Sequence, residues 1–347
     1  MRSWLGSKVE DHTQAVTVFR YPLVPVLAHV PYLRSVVPAN PSATMSLARD
    51  LKHWRPDVAH LHGYGYAFID LAGLLLRRDG IRYVFTIHGV PQTPRKRGFI
   101  TRSAYAAYVA VGASRTANGS AAITAVSRAV AAEFGGRRSI TVVPNGIAPL
   151  PPSSDTGVRQ LSASLGLEPG VPILAAAGRL SVSKGFDRLV GALAHIDRDR
   201  VACVIAGADG GELGNLRRQA AALPKNIRLV LPGWLDRQRL SDLFSLADVV
   251  VIPSRDEPFG LVGLEALGKG RRVVASRIGG LQEFLAPPAA DLVDGDDGRA
   301  WAVAISAALS RGPFTAMDHK VADEILAEHA WSRVAKRYEQ LMDSVRG

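Results

Sequence analysis

Val249-Val250-Val251-Ile252-Pro253-Ser254-Arg255-Asp256-Glu257-Pro258-Phe259-Gly260-Leu261-Val262-Gly263-Leu264-Glu265 reads as a strand, a loop and the start of a helix over 261–269. The β-branched run carries no polar alternation, the pattern of a strand buried on both faces of a parallel sheet. Pro258 and Gly260 let backbone N–H groups approach a ligand closely and present the positive end of the helix dipole. Glu257 falls in the loop at the strand's carboxyl end, where an ionised carboxylate can accept two hydrogen bonds from neighbouring diol oxygens. Glu265 falls about two turns into the helix. Two glutamates at this spacing say little alone; an acidic residue, proline, aromatic and glycine directly after a valine-rich strand say much more.

The same pattern recurs outward in both directions. Apolar runs at 16–19, 58–61, 83–87, 122–125 and 141–143 precede runs at 173–177, 202–206, 227–231, 249–252 and 273–275, with amphipathic stretches such as 186–195 and 237–246 between them. Strands alternating with helices argue for an α/β fold with parallel sheets covered on both faces. The Pro/Ser-rich stretch Pro149-Leu150-Pro151-Pro152-Ser153-Ser154-Asp155 separates two blocks of this kind. The expected organisation is two Rossmann-like domains, 1–150 and 151–330, followed by a helix over 331–347 with apolar positions at Trp331, Val334, Tyr338, Leu341 and Met342. A length of 347 residues suits two domains, and 47% hydrophobic with 21% charged residues describes a globular chain. No run approaches the ~18 apolar residues of a membrane span, and residues 1–14 lack the apolar centre of a secretory signal. The single cysteine, Cys203, lies in an apolar run and reads as a buried strand thiol, so a cytoplasmic location is expected.

Ligands of open α/β sheets bind at the carboxyl ends of the strands. The loop after 173–177, Gly178-Arg179-Leu180-Ser181-Val182-Ser183-Lys184-Gly185, brackets a short turn with two cations that suit a diphosphate. They also suit an ordinary cationic surface, and the loop lacks the Walker spacing. In the first half, 83–87 ends at His88-Gly89, which points a histidine toward the ligand side; a histidine satisfied by local backbone is an equally good reading. His60 and His62 would share a strand face. With no third ligand evident, a structural or cleft-lining role is favoured over a metal pair.

In order, Val58-Ala59-His60-Leu61-His62-Gly63, Phe85-Thr86-Ile87-His88-Gly89, Ile123-Thr124-Ala125-Val126-Ser127, Val143-Pro144-Asn145-Gly146-Ile147, Gly178-Arg179-Leu180 with Lys184-Gly185, Ala247-Asp248-Val249, the Glu257–Glu265 stretch and Gly279-Gly280 resemble retaining glycosyltransferases of family four, with the GT-B fold. The resemblance covers roughly residue 16 to the end. It implies a nucleotide-diphosphate sugar as donor, retention of anomeric configuration, and no cofactor or metal. It implies that Arg179 and Lys184 hold the donor diphosphate and Glu257 the sugar hydroxyls. Phe259, Gly260 and Leu261 would offer backbone groups, Glu265 would bind the nucleotide ribose, and His88 would approach the sugar from the first domain. The family's usual opening strand, Gly-rich loop and helix cannot be found, so the first domain is expected to lack its opening unit, with the true start upstream. A catalytically inactive or truncated binding subunit is the alternative expectation.

The acceptor is left open among lipid-linked, saccharide and small-molecule classes. A formal charge of +11 favours polyanionic partners, but an Arg-rich composition raises the charge without any function, so net charge alone decides nothing. The stretch Pro94-Arg95-Lys96-Arg97-Gly98-Phe99-Ile100-Thr101-Arg102, with Tyr105 and Tyr108, reads equally well as a solvated basic face; as a binding surface it suggests acceptor contact or a peripheral place on an anionic membrane rather than nucleic acid. Asp197-Arg198-Asp199 and Asp294-Gly295-Asp296 have the form of metal-binding Asp-x-Asp motifs but read as solvated turns away from the site.

Overall fold

The computed structural model describes residues 9–13, 16–20, 41–90, 103, 107–135 and 138–346. The chain divides into two compact units: Met1–Val143 with Lys336–Gly347, and Pro144–Ala335. The division falls before the Pro/Ser-rich stretch instead of within it, because that stretch is bonded to the second unit. Ser241 donates to the Pro151 carbonyl, Gln238 to the Pro152 carbonyl and Arg237 to the carbonyls of Ala148 and Pro149. A segment expected to link domains is therefore laid along the helix Arg237–Leu246.

In the first unit β1 (Val9–Thr13) and β2 (Val16–Arg20) form an antiparallel pair on their own. The run at 16–19 is thus a strand, but not one of the parallel sheet. That sheet consists, among the described residues, of β3 (Val58–His62), β4 (Arg82–Ile87), β5 (Ala122–Ala125) and β6 (Ile140–Val142), in chain order and all parallel. β4 is central, and Tyr83 to Ile87 are buried, as expected of a strand sandwiched between helices. The expectation that the first domain lacks its opening unit bears on a stretch that lies largely outside the described residues, as does the basic stretch at 94–102 with Tyr105.

The second unit holds a six-stranded parallel sheet in the order β12-β11-β10-β7-β8-β9. Its strands are β7 (Ile173–Ala177), β8 (Val201–Ala206), β9 (Ile227–Gly233), β10 (Val249–Ile252), β11 (Arg272–Ser276) and β12 (Ala290–Val293). Every residue of β8, β10 and β11 is buried, which explains the unbroken apolar sequences of β8 and β10 and the apolar centre of β11 between Arg272 and Ser276. The core between sheet and helices includes Trp301, Leu174, Ile205, Leu189 and Leu193, all essentially inaccessible. β9 carries Pro232, tolerated because β9 is an edge strand. The chain runs from β7 outward to β9 and then returns to the other side of β7 through β10. The order therefore reverses between β7 and β10, and the loops after those two strands diverge from one crevice. Among the described residues no helix is long and apolar enough to cross a membrane.

Candidate active site

Two loops meet at the crevice between β7 and β10. Ser183 accepts backbone bonds from Arg255 and Asp256 at 2.7 and 3.2 Å, which stitch the loops together. The approach depends on Gly185, whose φ is +63° and where a Cβ would lie 2.0 Å from the Pro253 carbonyl oxygen. A second support comes from Gly279-Gly280. Gly280 N–H donates to the Glu257 carbonyl at 3.1 Å, and a Cβ on Gly279 would lie 2.0 Å from that oxygen.

These supports bring together side chains 73 residues apart. Lys184 Nζ lies 2.7 Å from Glu257 Oε2, and Ser254 Oγ donates to the same oxygen at 3.0 Å. Ser254 is buried, and the Glu257 side chain is 11% exposed. A carboxylate with Oε2 occupied in this way keeps Oε1 for a ligand. Burial, then the neighbouring Glu257 charge, push the Asp256 carboxyl above its ordinary range, opposed by Lys184. Arg179 lies at the end of β7, is exposed, and forms no ion pair among the described residues. The two cations thus differ: Lys184 is neutralised by Glu257, and Arg179 is not.

Gly260 opens the helix Leu261–Gly268 at φ +106°, with no side chain capping its first turn. Gly263 N–H is taken by the Gly260 carbonyl at 2.9 Å, and the backbone N–H groups of Leu261 and Val262 are left for a ligand or water. The Phe259 side chain does not face the crevice; it is buried against Phe284 and His329, at ring separations of 5.4 and 5.6 Å. The ring thereby anchors the loop. Leu261 is exposed. Glu265, on the same helix, is 3.6 Å from Arg237, and burial raises its carboxyl pKa against that cation's lowering effect.

A cavity of about 350 Å³ adjoins these groups at the carboxyl ends of β7, β8 and β9, lined by Gly178, Arg179, Gly207, Trp234, Leu235 and Val262 among others. Trp234 is 71% exposed, an unusual state for a tryptophan. Sequence reasoning missed it; the available signal was an aromatic residue immediately after the edge strand's terminal glycine. A larger cavity of about 630 Å³ lies at the opposite end of the sheet, by Pro169–Pro172 and Asp197–Arg200. It is remote from the carboxyl ends where this chemistry gathers. Asp197-Arg198-Asp199 therefore lies far from the crevice, before β8, as expected. Asp294-Gly295-Asp296 does not: it follows the carboxyl end of β12, and Asp296 is paired with Arg188 and lies 3.9 Å from Arg255 of the Glu257 loop. These contacts brace the loop from outside, with Arg255 also held bidentately by Asp187 at 2.6 and 2.7 Å.

In the first unit, His60 and His62 share a face of β3, their rings 3.9 Å apart. His88 follows β4, and its Nε2 is 2.9 Å from His62 Nδ1. Burial holds the pKa of each imidazole below its ordinary value. Among the described residues no group of three or more His, Cys, Asp or Glu is placed to hold a metal ion.

Comparison with known proteins accords with this arrangement. The family described as glycosyl transferases group 1 matches residues 158–322, and glycosyltransferase family 4 matches 7–149. A D-inositol 3-phosphate glycosyltransferase of Xylanimonas cellulosilytica is 38% identical over 180 residues, 49% of this chain and 43% of that protein. Another, of Pseudarthrobacter chlorophenolicus, is 32% identical over 317 residues, 83% of this chain and 71% of that protein. Among solved structures, the sucrose-phosphate synthase of Thermosynechococcus elongatus superposes with a TM-score of 0.71 at 21% identity, covering 97% of this chain and 85% of its own. The Anabaena protein Alr3699/HepE, in complex with UDP and glucose, gives 0.69 at 20% identity, covering 87% and 81%. These structural likenesses establish the GT-B fold. Because a relative above 30% identity is matched over 71% of its length, and family matches take in both halves of the sequence, the chain belongs to the family 4, group 1 glycosyltransferases.

Proposed function

We propose that this chain moves a sugar from a nucleoside-diphosphate sugar to an acceptor hydroxyl, with retention of anomeric configuration. The observation that carries the proposal is the Lys184–Glu257 contact at the sheet's switch point, beside the unpaired Arg179. In this reading Arg179 and Lys184 face the diphosphate and stabilise the negative charge that grows as the sugar leaves. Glu257 Oε1 accepts from sugar hydroxyls, while the backbone of Phe259, Gly260 and Leu261 offers donors at the helix start. Glu265 meets the ribose, displacing its long contact with Arg237. The cavity beside Trp234 would take the base. His88 offers a neutral imidazole to the sugar. No metal is assigned a part; Arg179, with Lys184 as a donor beside it, is proposed to meet the diphosphate.

The curated relatives are named for D-inositol 3-phosphate, so a phosphorylated polyol is the first acceptor to test, followed by lipid-linked and saccharide acceptors. A cytoplasmic location, peripheral at an anionic membrane, belongs to the same proposal and rests on the +11 charge. Vesicle co-sedimentation unaffected by neutralising Arg95, Lys96 and Arg97 would remove the membrane part. The central test is nucleotide release from a panel of UDP-, GDP- and ADP-sugars. Wild type should turn over one of them, and Glu257→Ala should lose roughly 10²–10³-fold in kcat. A protein that binds donor and never turns over with any acceptor is instead a binding subunit.

A further inference from the structure

The carboxyl ends of β3 and β4 gather three imidazoles in a fixed relation. His62 Nδ1 and His88 Nε2 are 2.9 Å apart, with the rings 5.2 Å apart and inclined by 30°. Behind them, His60 Nε2 lies 2.6 Å from Thr86 Oγ1, which is itself 2.6 Å from Thr124 Oγ1. Both threonines are fully buried, so this end of the chain of contacts is anchored in the sheet. The His60 ring is held between the His62 ring at 3.9 Å and Tyr338 at 4.8 Å.

We propose that His62 is the positioning residue for His88: its Nδ1 fixes His88 Nε2 and so sets the tautomer that His88 presents through its other nitrogen. The inference rests on the proposed contact of His88 with the donor sugar. A hydrogen bond between two neutral imidazoles needs one protonated and one bare nitrogen. Each neutral ring carries one proton, so settling Nε2 of His88 also settles its Nδ1. If His62 donates, His88 Nδ1 bears the proton and donates to a ligand oxygen. If His88 donates, its Nδ1 accepts from a ligand hydroxyl. Either way the tautomers of the two rings are settled together, His88 Nδ1 taking the role opposite to that of its Nε2, and among the described residues no other hydrogen bond to His88 competes with this coupling.

Both rings must be neutral for this, and their surroundings favour the neutral form. Burial is the main cause that lowers the pKa of all three histidines, and the His62 pKa is lowered further by His88. His60 is pushed down to about 4 by burial and then by the two neighbouring imidazoles. The titratable groups facing His88 are His62 and, behind it, His60 on β3, with Tyr338 packed on His60 from the terminal helix. His60 cannot take the positioning part, because its Nε2 is engaged by Thr86 and its ring lies one pleat further back. Strand alternation puts both histidines on one face, and only the one at the strand's tip reaches β4's tip.

The test uses the full chain with 15N-labelled histidine and long-range nitrogen–proton NMR, which reads each ring's tautomer. In wild type His88 should be a single tautomer at neutral pH. His62→Phe keeps the ring volume and removes the nitrogen; His88 should then populate both tautomers, with kcat/KM for donor falling roughly 5-fold, as one hydrogen bond implies. His62→Asn places an amide near the lost Nδ1 and should restore the single tautomer. An unchanged His88 tautomer in His62→Phe overturns the proposal. If the tautomer shifts as expected but His88→Ala transfers sugar at the wild-type rate, the positioning stands and the sugar-contact reading of His88 is the part that fails.

Discussion

Glu257 is held by one oxygen. Lys184 and Ser254 both reach Oε2, so the orientation of the whole carboxylate is set before any ligand arrives. The two supports are unequal, because Lys184 compensates a charge and Ser254 supplies one neutral donor. Ser254→Ala should raise the donor KM roughly 5-fold, the loss of a single hydrogen bond. Lys184→Ala should reduce kcat by roughly 10²-fold, because it removes a cation from the developing negative charge and leaves a mostly buried carboxylate unpaired. Steady-state donor turnover distinguishes them; equal effects would mean that Lys184 is only another hydrogen-bond donor to Glu257. The sequence identified both residues, since each sits in a loop of recognisable composition after a buried strand. It could not show that they meet, because the contact depends on β7 and β10 being neighbours. Phe259 shows the complementary limit: the sequence suggested only a backbone role for it, and could not show that its ring is buried against Phe284 and His329.

Elements carry the site through close backbone approaches that only glycine permits. At Gly185 any larger residue would adopt a strained φ and drive a Cβ into the Pro253 carbonyl. Gly185→Ala should therefore separate the two loops and cost about 2–3 kcal/mol, read by denaturant unfolding, with donor turnover lost in parallel. A variant of wild-type stability would show that the loop relaxes without strain. Most strands were legible because burial on both faces produces an unbroken apolar run. β12 was not, since Ala290-Asp291-Leu292-Val293 is short, carries an aspartate and lies at the sheet edge. The pairing of β1 with β2 was equally hidden, for a single apolar run does not reveal whether its partner is parallel. The second sheet also contains a buried ion pair, one strand in from its β12 edge. Arg272 of β11 donates to both oxygens of Asp318 at 2.6 and 2.8 Å, and Thr315 caps the same carboxylate. The Asp318 carboxyl is thereby lowered from 3.8 to about 2, against the opposing effect of burial. Folding thus favours the ionised form, and the stabilisation is full above the unfolded pKa and lost as pH falls through the folded one. Asp318→Asn should cost about 3–5 kcal/mol at neutral pH, and its gap from wild type should shrink between about pH 4 and 2. A gap constant down to pH 2 would contradict the pairing as the cause.

At the scale of the molecule, the chain leaves the first unit at Val143, builds the whole second unit, and re-enters the first at Lys336. The helix Trp331–Arg346 is therefore shared, although its sequence reads as a simple terminal amphipathic segment. Apolar spacing announces a helix but does not say which unit its carboxyl half will cover. Within the first unit that half supplies the Tyr338 ring to His60, a backbone oxygen of Val345 to Arg82 at 3.2 Å, and Arg346 to Asp57 at 2.5 Å. Its amino end belongs to the second unit, where Trp331 lies against Gly146 so closely that a Cβ there would come within 2.4 Å of the indole. Deleting 336–347 should consequently act on one unit only. Amide hydrogen exchange should quicken in β3 and β4, whose inner segments lose Tyr338 and the Arg82 anchor, while β7, β8 and β10 keep their protection. Nucleotide binding, which the second unit's loops are proposed to supply, should persist in calorimetry, while sugar transfer falls with the loosened His60–His62–His88 group. Equal loss of protection in both sheets would mean that the second unit depends on the helix's final turns, and that the division at Ala335 is not an energetic one.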